Sequence, residues 1–208
     1  MNRPNSLCRA AIALATGLLG SSCAPDHPTE AVESQLAAHA PAHAVSPNDA
    51  VAAAVPDYTS LDGASARGTN GSLHLAVDAG GEIPRFPDSF IRSVAVFGYA
   101  WVDLATGAGV VAVIHPVIGR DSRQNPNGWH THTVRLAAGT TSSSFCIASL
   151  GTSQGGISIV GDALNLAMAA RQAGTSASAL DVAASFIVQA DAGCTSGLGV
   201  QVLDTAAL

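Results

Sequence analysis

The sequence predicts an all-β protein, an antiparallel β-sandwich of Ig-like or Greek-key type with a disordered N-terminal tether. Three observations carry this. From about residue 71 the chain breaks into short β-branched and aromatic runs bounded by Gly, Asn, Asp and Ser, the texture of a small antiparallel β-domain. Before that point large apolar groups are scarce, and Pro25, Pro28, Pro41, Pro47 and Pro56 interrupt any helix. The chain of 208 residues is 48% hydrophobic but only 12% charged, which suits a packed core rather than a disordered polyelectrolyte.

Taken in order, residues 1–22 read as an export signal. Arg3 and Arg9 form a positive n-region, and residues 10–19 form an apolar stretch too short to span a bilayer as a mature helix. Small residues Gly20, Ser21 and Ser22 lead to Cys23. This resembles a bacterial lipoprotein signal, in which the cysteine after a small-residue site is acylated. The resemblance implies a lipid-anchored protein of the cell envelope, periplasmic or at the surface, touching the membrane only through Cys23. Residues 23–70 read as a low-complexity Ala- and Pro-rich tether; His27, His39 and His43 in it read as solvated linker residues. Asn70-Gly71-Ser72 matches a glycosylation sequon, which has little meaning in a bacterial-type envelope.

Residues 71–208 form the expected domain. Leu73, Leu75 and Val77 alternate with His74 and Ala76 as an edge strand. Further strands are read over residues 93–103, 109–115, 129–137, 144–149, 157–160, 182–189 and 198–203. Gly161-Asp162 fits a two-residue hairpin turn, which makes residues 163–169 a strand. A helix from Asp162 to Gly174 is the rival reading. Phe97, Tyr99 and Trp101 share one strand face and read as core rather than as an exposed sugar-stacking stripe.

Cysteine arithmetic follows from export. Cys8 leaves with the signal, and lipidated Cys23 leaves Cys146 and Cys194 as an even pair for a disulfide. Charge excludes several partners. All nine basic residues are Arg. Loss of Arg3 and Arg9 leaves seven Arg against fifteen acidic residues, a net charge of -8. Such a chain is a poor match for nucleic acid or an anionic surface.

The chemistry concentrates in residues 110–136, read as strand, loop, strand. His115 ends the first strand and His130 and His132 open the second, across the polar loop 116–128. His130 and His132 are two apart, so both share a face with Val134 and Leu136. Antiparallel pairing with His115 opposite His130 puts Val113 opposite His132 and Val111 opposite Val134. The three imidazoles then meet on one apolar face, with facing Cβ atoms about 4.5–5.5 Å apart. His115, His130 and His132 are therefore candidate ligands for copper or zinc, with a water or Asp121 completing the set. Gly128-Trp-His-Thr-His132 resembles the HxH strand of copper/zinc superoxide dismutases and the HxH of chordin-type bacterial sandwich domains. The likeness covers about five residues, and no His follows His132, so it implies no activity.

Two functions follow: an envelope protein with a metal-binding or sensing role, or a non-catalytic ligand-binding or adhesive module using the aromatic face or loop 116–128 without metal. A metal-assisted enzyme needs a general base, for which Asp121 and Asp103 are candidates. Gly151-Thr-Ser-Gln-Gly155 matches a nucleophile-elbow pattern, but strand-like residues 157–160 follow it and no His comes after Ser153; a Gly/Ser turn is the reading kept. Oligomeric state has no signal in the sequence.

Overall fold

A computed structural model describes residues 55–116, 128–152 and 154–208. The signal, Cys23 and most of the expected tether lie outside these residues, as do Asp121 and Ser153. The described chain is mostly strand, and every strand pairing is antiparallel.

In chain order the strands are β1 (Leu61–Thr69), β2 (Ser72–Ala79), β3 (Val96–Val102), β4 (Ala108–Ile114), β5 (His130–Ala138), β6 (Phe145–Thr152), β7 (Gly156–Val160), β8 (Ala163–Ala169), β9 (Val182–Ala190) and β10 (Leu198–Ala207). A helical turn, α1 (Ser89–Val94), precedes β3 and is capped by Asp88, whose carboxylate accepts from the Ile91 N–H at 2.9 Å. A second short helix, α2 (Ala170–Ala173), follows β8 and ends at Gly174, whose φ of 67° stops it.

The expected pair of open sheets is not what these strands form. Six of them close into a barrel in the order β10-β6-β5-β4-β3-β9, and the other four form a separate sheet, β1-β2-β8-β7. The alternating pattern specifies which side chains face inward, but a closed sheet and an open one carry the same alternation. Closure depends on pairing β6 with β10 and β3 with β9, strands that lie far apart in sequence.

Several elements depart from the sequence reading. Residues 61–69, expected in the tether, form β1 and pair with β2 along its length. β1 has no large apolar alternation; Ala64 and Ala66 pack on the core and the backbone ladder does the rest. The hairpin turn is Asn70-Gly71, at φ 47° and 78°. Two consecutive positive φ values are the type I′ signature that Asn-Gly favours, so the sequon is a turn. β2 is consequently an interior strand, flanked by β1 and β8, rather than an edge. Residues 163–169 form strand β8 after the Gly161-Asp162 turn. Tertiary pairing with β2 overrides the helical propensity of its alanines.

There are two cores. β3 is buried at all seven positions, which is why its sequence reads as a near-continuous apolar run. Phe97, Tyr99 and Trp101 face outward from the barrel, under the four-stranded sheet, and pack with Leu73, Leu75, Leu164 and Leu166. The aromatic stripe is core. Trp129 stacks on Tyr99 at 5.6 Å and 4°, and its indole N–H donates to the Pro84 carbonyl at 2.7 Å. Tyr58, in a 3₁₀ turn (Asp57–Thr59) ahead of β1, joins the same cluster; Tyr99 Oη donates to its carbonyl at 2.6 Å. Burial pushes both phenols far above their ordinary range, and the hydrogen bond from Tyr58 Oη to Asp88 adds to this for Tyr58. The second core lies inside the barrel: Val96, Ala100, Val111, Val113, Val134, Ile147, Phe186, Val188 and Val200. Gly98 lies between β4 and Phe186, where a Cβ would come within 2.5 Å of the Ala112 carbonyl oxygen.

The barrel closes along β6 and β10, where the register contains two pairs, Gly199↔Cys146 and Val200↔Phe145. Side chains reinforce this short seam. Ser196 Oγ donates to the Ile147 carbonyl at 2.6 Å, and Val202 N–H donates to Ser144 Oγ at 3.2 Å. Asp191 accepts from Thr140 Oγ1, Ser143 Oγ and the Gly193 N–H. It thereby ties the β5–β6 turn to the β9–β10 turn. The expected disulfide, Cys146–Cys194, crosses the same place.

Two outcomes are expected from this seam. Replacing Cys146 and Cys194 by Ala should lower stability by about 3–4 kcal/mol, since the bridge closes a stretch of 48 residues; urea denaturation measures it, and amide exchange should accelerate first at Phe145 and Val200. The donors around Asp191, Ser143 first and then Thr140, hold its carboxyl below the ordinary 3.8. A depressed carboxyl stabilises the fold above the unfolded value and stops doing so as pH falls through the folded one. Stability should therefore drop as pH falls below 3.8, and Asp191→Asn should flatten that part of the profile in acid-denaturation curves.

Candidate metal centre

β4 and β5 position the three histidines. Their register pairs Val113 with His130, Val111 with His132 and Gly109 with Val134. This differs by two residues from the expected pairing of His115 with His130. A shift of two keeps every side chain on its face, whereas a shift of one would reverse them all. The expected face is therefore correct and the expected partners are not. Apolar alternation distinguishes odd from even shifts and cannot distinguish one even shift from another. His115, just past the end of β4, meets His130 diagonally.

All three imidazoles are buried, at 6–7% exposure, at one end of the barrel. The His115 and His130 rings lie 4.7 Å apart edge to face, and His130 and His132 lie 5.0 Å apart. Each Nδ1 faces a backbone carbonyl oxygen: His115 that of Pro116 at 2.7 Å, His130 that of Gly128 at 3.1 Å, and His132 that of Gly151 at 3.3 Å. A carbonyl only accepts, so these contacts are favourable when Nδ1 carries the proton. Neutral rings then present Nε2 as a lone pair. His115 Nε2 and His130 Nε2 are 3.1 Å apart. With both Nε2 atoms unprotonated, a shared proton or metal ion would reconcile them; with one ring protonated at Nε2 instead, the contact is an N–H···N hydrogen bond.

The separation is that of a hydrogen bond, and it also matches two nitrogens on one metal ion. Bonds of about 2.0–2.1 Å at angles between 90° and 109° put two nitrogens on one Zn or Cu about 2.9–3.4 Å apart. A ligating histidine with its other nitrogen donating to a carbonyl is the usual outer-shell arrangement. As the side chains stand, however, no three His, Cys, Asp or Glu among the described residues are grouped so as to hold a metal ion. The pair His115–His130 has the spacing; His132 is adjacent in the ring series. Asp121 lies outside the described residues.

The other candidate base, Asp103, is removed from this end. It lies in the β3–β4 turn, at the opposite end of the barrel from His115. There its carboxylate accepts from Thr106 Oγ1 and from the Thr106 and Ala105 N–H groups. These bonds, led by the Thr106 hydroxyl, hold its carboxyl below the usual range. It is a turn residue.

The interior behind the histidines is not completely filled. A cavity of about 60 Å³ is lined by residues from all six barrel strands, with His115 and His132 in its wall and Phe186 and aliphatic side chains around the rest. Neither the cavity nor the carbonyls of Pro116, Gly128 and Gly151 were accessible to sequence reasoning. Backbone acceptors carry no residue signature, and a cavity exists only once the barrel closes.

The chain matches no known family model, no curated protein and no solved structure. The site is therefore read from its own chemistry.

The tautomers give a direct check. Long-range ¹H–¹⁵N correlation spectra of the metal-free protein at neutral pH should show His115 and His130 protonated at Nδ1, with Nε2 resonances shifted on addition of zinc. Protonation at Nε2 in both rings would contradict the carbonyl contacts.

Proposed function

We propose that the protein binds copper or zinc through His115, His130 and His132 in a metal-binding or sensing role. In this reading it is an exported β-domain anchored to the cell envelope by lipid on Cys23. The observation that carries the reading is the 3.1 Å approach of two imidazole nitrogens whose ring partners are both backbone carbonyls. Clustered, buried histidines on one apolar face add to it. His115 and His130 would supply the first two ligands through Nε2, and His132 the third after a change of side-chain torsion. Asp121 or water would complete the set. The disulfide is consistent with an oxidising compartment, and the N-terminal segment supplies the address. No general base is assigned, and the proposal includes no reaction.

The alternative module, without metal, loses the aromatic face as a binding surface, since Phe97, Tyr99 and Trp101 are fully buried. It keeps loop 116–128, of which residues 117–127 lie outside the described residues.

Metal analysis by mass spectrometry, with calorimetric titration of the chelator-treated protein, tests the proposal. One Cu or Zn per chain is expected. His130→Ala should weaken binding at least tenfold, because it removes one member of the close pair; the same change at His74, an exposed strand residue, should leave binding unchanged. A protein that takes up neither ion at neutral pH overturns the proposal.

A further inference from the structure

We propose that the outer edge of β7 is a docking site for an extended peptide segment of a protein partner, which adds a strand to the four-stranded sheet and sets an acidic side chain beside Arg85. The sheet has two edges, β1 and β7. β1 is protected in the usual ways. It carries Asp62 and Arg67, its register is broken between Leu61 and Gly63, and it meets β10 and a 3₁₀ turn (Ala177–Ala179). β7 reads Gly156-Ile-Ser-Ile-Val160, with no charge and no proline. Its five pairs with β8 are in unbroken register, and β8 is its one substantial neighbour among the described elements. An uncharged, regular edge is a template for a further strand.

Strand parity shows which backbone groups this edge offers. The turn between β7 and β8 has two residues, Gly161 and Asp162, with Gly161 at φ 62°. The flanking residues of such a turn, Val160 and Ala163, form a hydrogen-bonded pair. Bonded and non-bonded pairs alternate from there, so Ile159–Leu164 and Ile157–Leu166 are non-bonded pairs. The N–H and C=O groups of Ile157 and Ile159 therefore point to the outer edge. Arg85 agrees with this direction, since its Nη2 donates to the Ile159 carbonyl at 3.1 Å. Beside the edge runs a shallow groove lined by Arg85, Trp129 and residues 157–160. Ile157, Ile159 and Trp129 are partly exposed and pack on the core between the sheet and the barrel. An added strand with apolar residues on that side continues the same core. Val160, and Phe86 next to Arg85 in the chain, are 69% and 71% exposed. Charge complementarity selects the occupant. Arg85 is the charged residue among those of the groove, is exposed, and makes no ion pair among the described residues. Its fork of donors suits a carboxylate. A second copy of this chain pairing β7 with β7 would bring a strand without a carboxylate; an acidic partner segment supplies one. The site does not rest on the metal reading.

The probe is a blocked peptide, Thr-Asp-Val-Thr-Val-Thr, titrated into the purified protein with chelator present and followed by ¹H–¹⁵N shifts. Antiparallel pairing sets its valines opposite Ile159 and Ile157 and its Asp near Arg85. Saturable shifts and slowed exchange are expected at the Ile157 and Ile159 amides. Methylating the two valine nitrogens of the peptide removes the donors that face β7 and should weaken binding at least tenfold. Ile157→Pro removes an outward N–H without removing a β7–β8 bond and should do the same; the methylated peptide gives the same test if that variant fails to fold. Asn in place of Asp in the peptide should weaken binding severalfold, and Arg85→Gln should weaken the Asp peptide to the level of the Asn peptide while leaving the latter unchanged. The absence of saturable shifts at Ile157 and Ile159 overturns the inference, as does binding indifferent to methylation. Equal weakening of both peptides by Arg85→Gln overturns its acidic part. A dimer in sedimentation that Ile157→Pro dissociates assigns the edge to a second copy and overturns the peptide as occupant.

Discussion

The structure depends on how the barrel closes. Five of its six strand interfaces are long ladders that come with the chain's hairpins and the β3–β9 crossover. The sixth, β6 against β10, has two register pairs, and it is held by the Cys146–Cys194 bridge, the Ser144 and Ser196 bonds to backbone, and the Asp191 network. An open six-stranded sheet of the same sequence would expose Val111, Val113, Val134 and Val200 to water, at a cost of about 1.5–3 kcal/mol for each side chain uncovered. It would also place His115, His130 and His132 on an open surface, where water would solvate each ring separately. Closure is what buries the imidazoles together and creates the cavity beside them.

A second constraint is the double burial of β3. Its outward aromatics bind the four-stranded sheet to the barrel, and its inward Val96, Gly98 and Ala100 are small enough for the narrow interior. At Gly98 the requirement is steric, since β4 backbone and Phe186 occupy the volume of any side chain. The aromatic face and the histidine face are thus opposite sides of one β3–β4–β5 segment. Trp129 on Tyr99 anchors the start of β5 from outside, and His130, the next residue, lies on the opposite face, which it shares with the cavity-lining His132. That stacking fixes the strand from which two of the three histidines project.

The candidate site illustrates how far local pattern reaches. Alternation in residues 109–115 and 129–137 placed the three histidines on one apolar face, and the face is correct because parity survives an even register shift. The partner pairs were two residues off, because hydrophobic alternation is blind to that difference. The carbonyls that orient the rings could not be read at all, being backbone atoms of Pro116, Gly128 and Gly151 brought in by three separate segments. One signal in the sequence was available and was read otherwise: Asn70-Gly71 is a strong type I′ turn, and it would have extended the domain back to β1.

By itself, the sequence determined the antiparallel β character, the Gly161-Asp162 hairpin, the Cys146–Cys194 pairing, the burial of the aromatic stripe and the shared face of the histidines. Each of these follows from short-range periodicity, turn chemistry or counting. Tertiary structure decided that the sheet closes, that β2 lies inside its sheet, that residues 61–69 belong to the fold, and that His115 and His130 approach to 3.1 Å. These rest on pairings between segments distant in sequence, β6 with β10 and β2 with β8. Their stability comes from contacts that no local window contains.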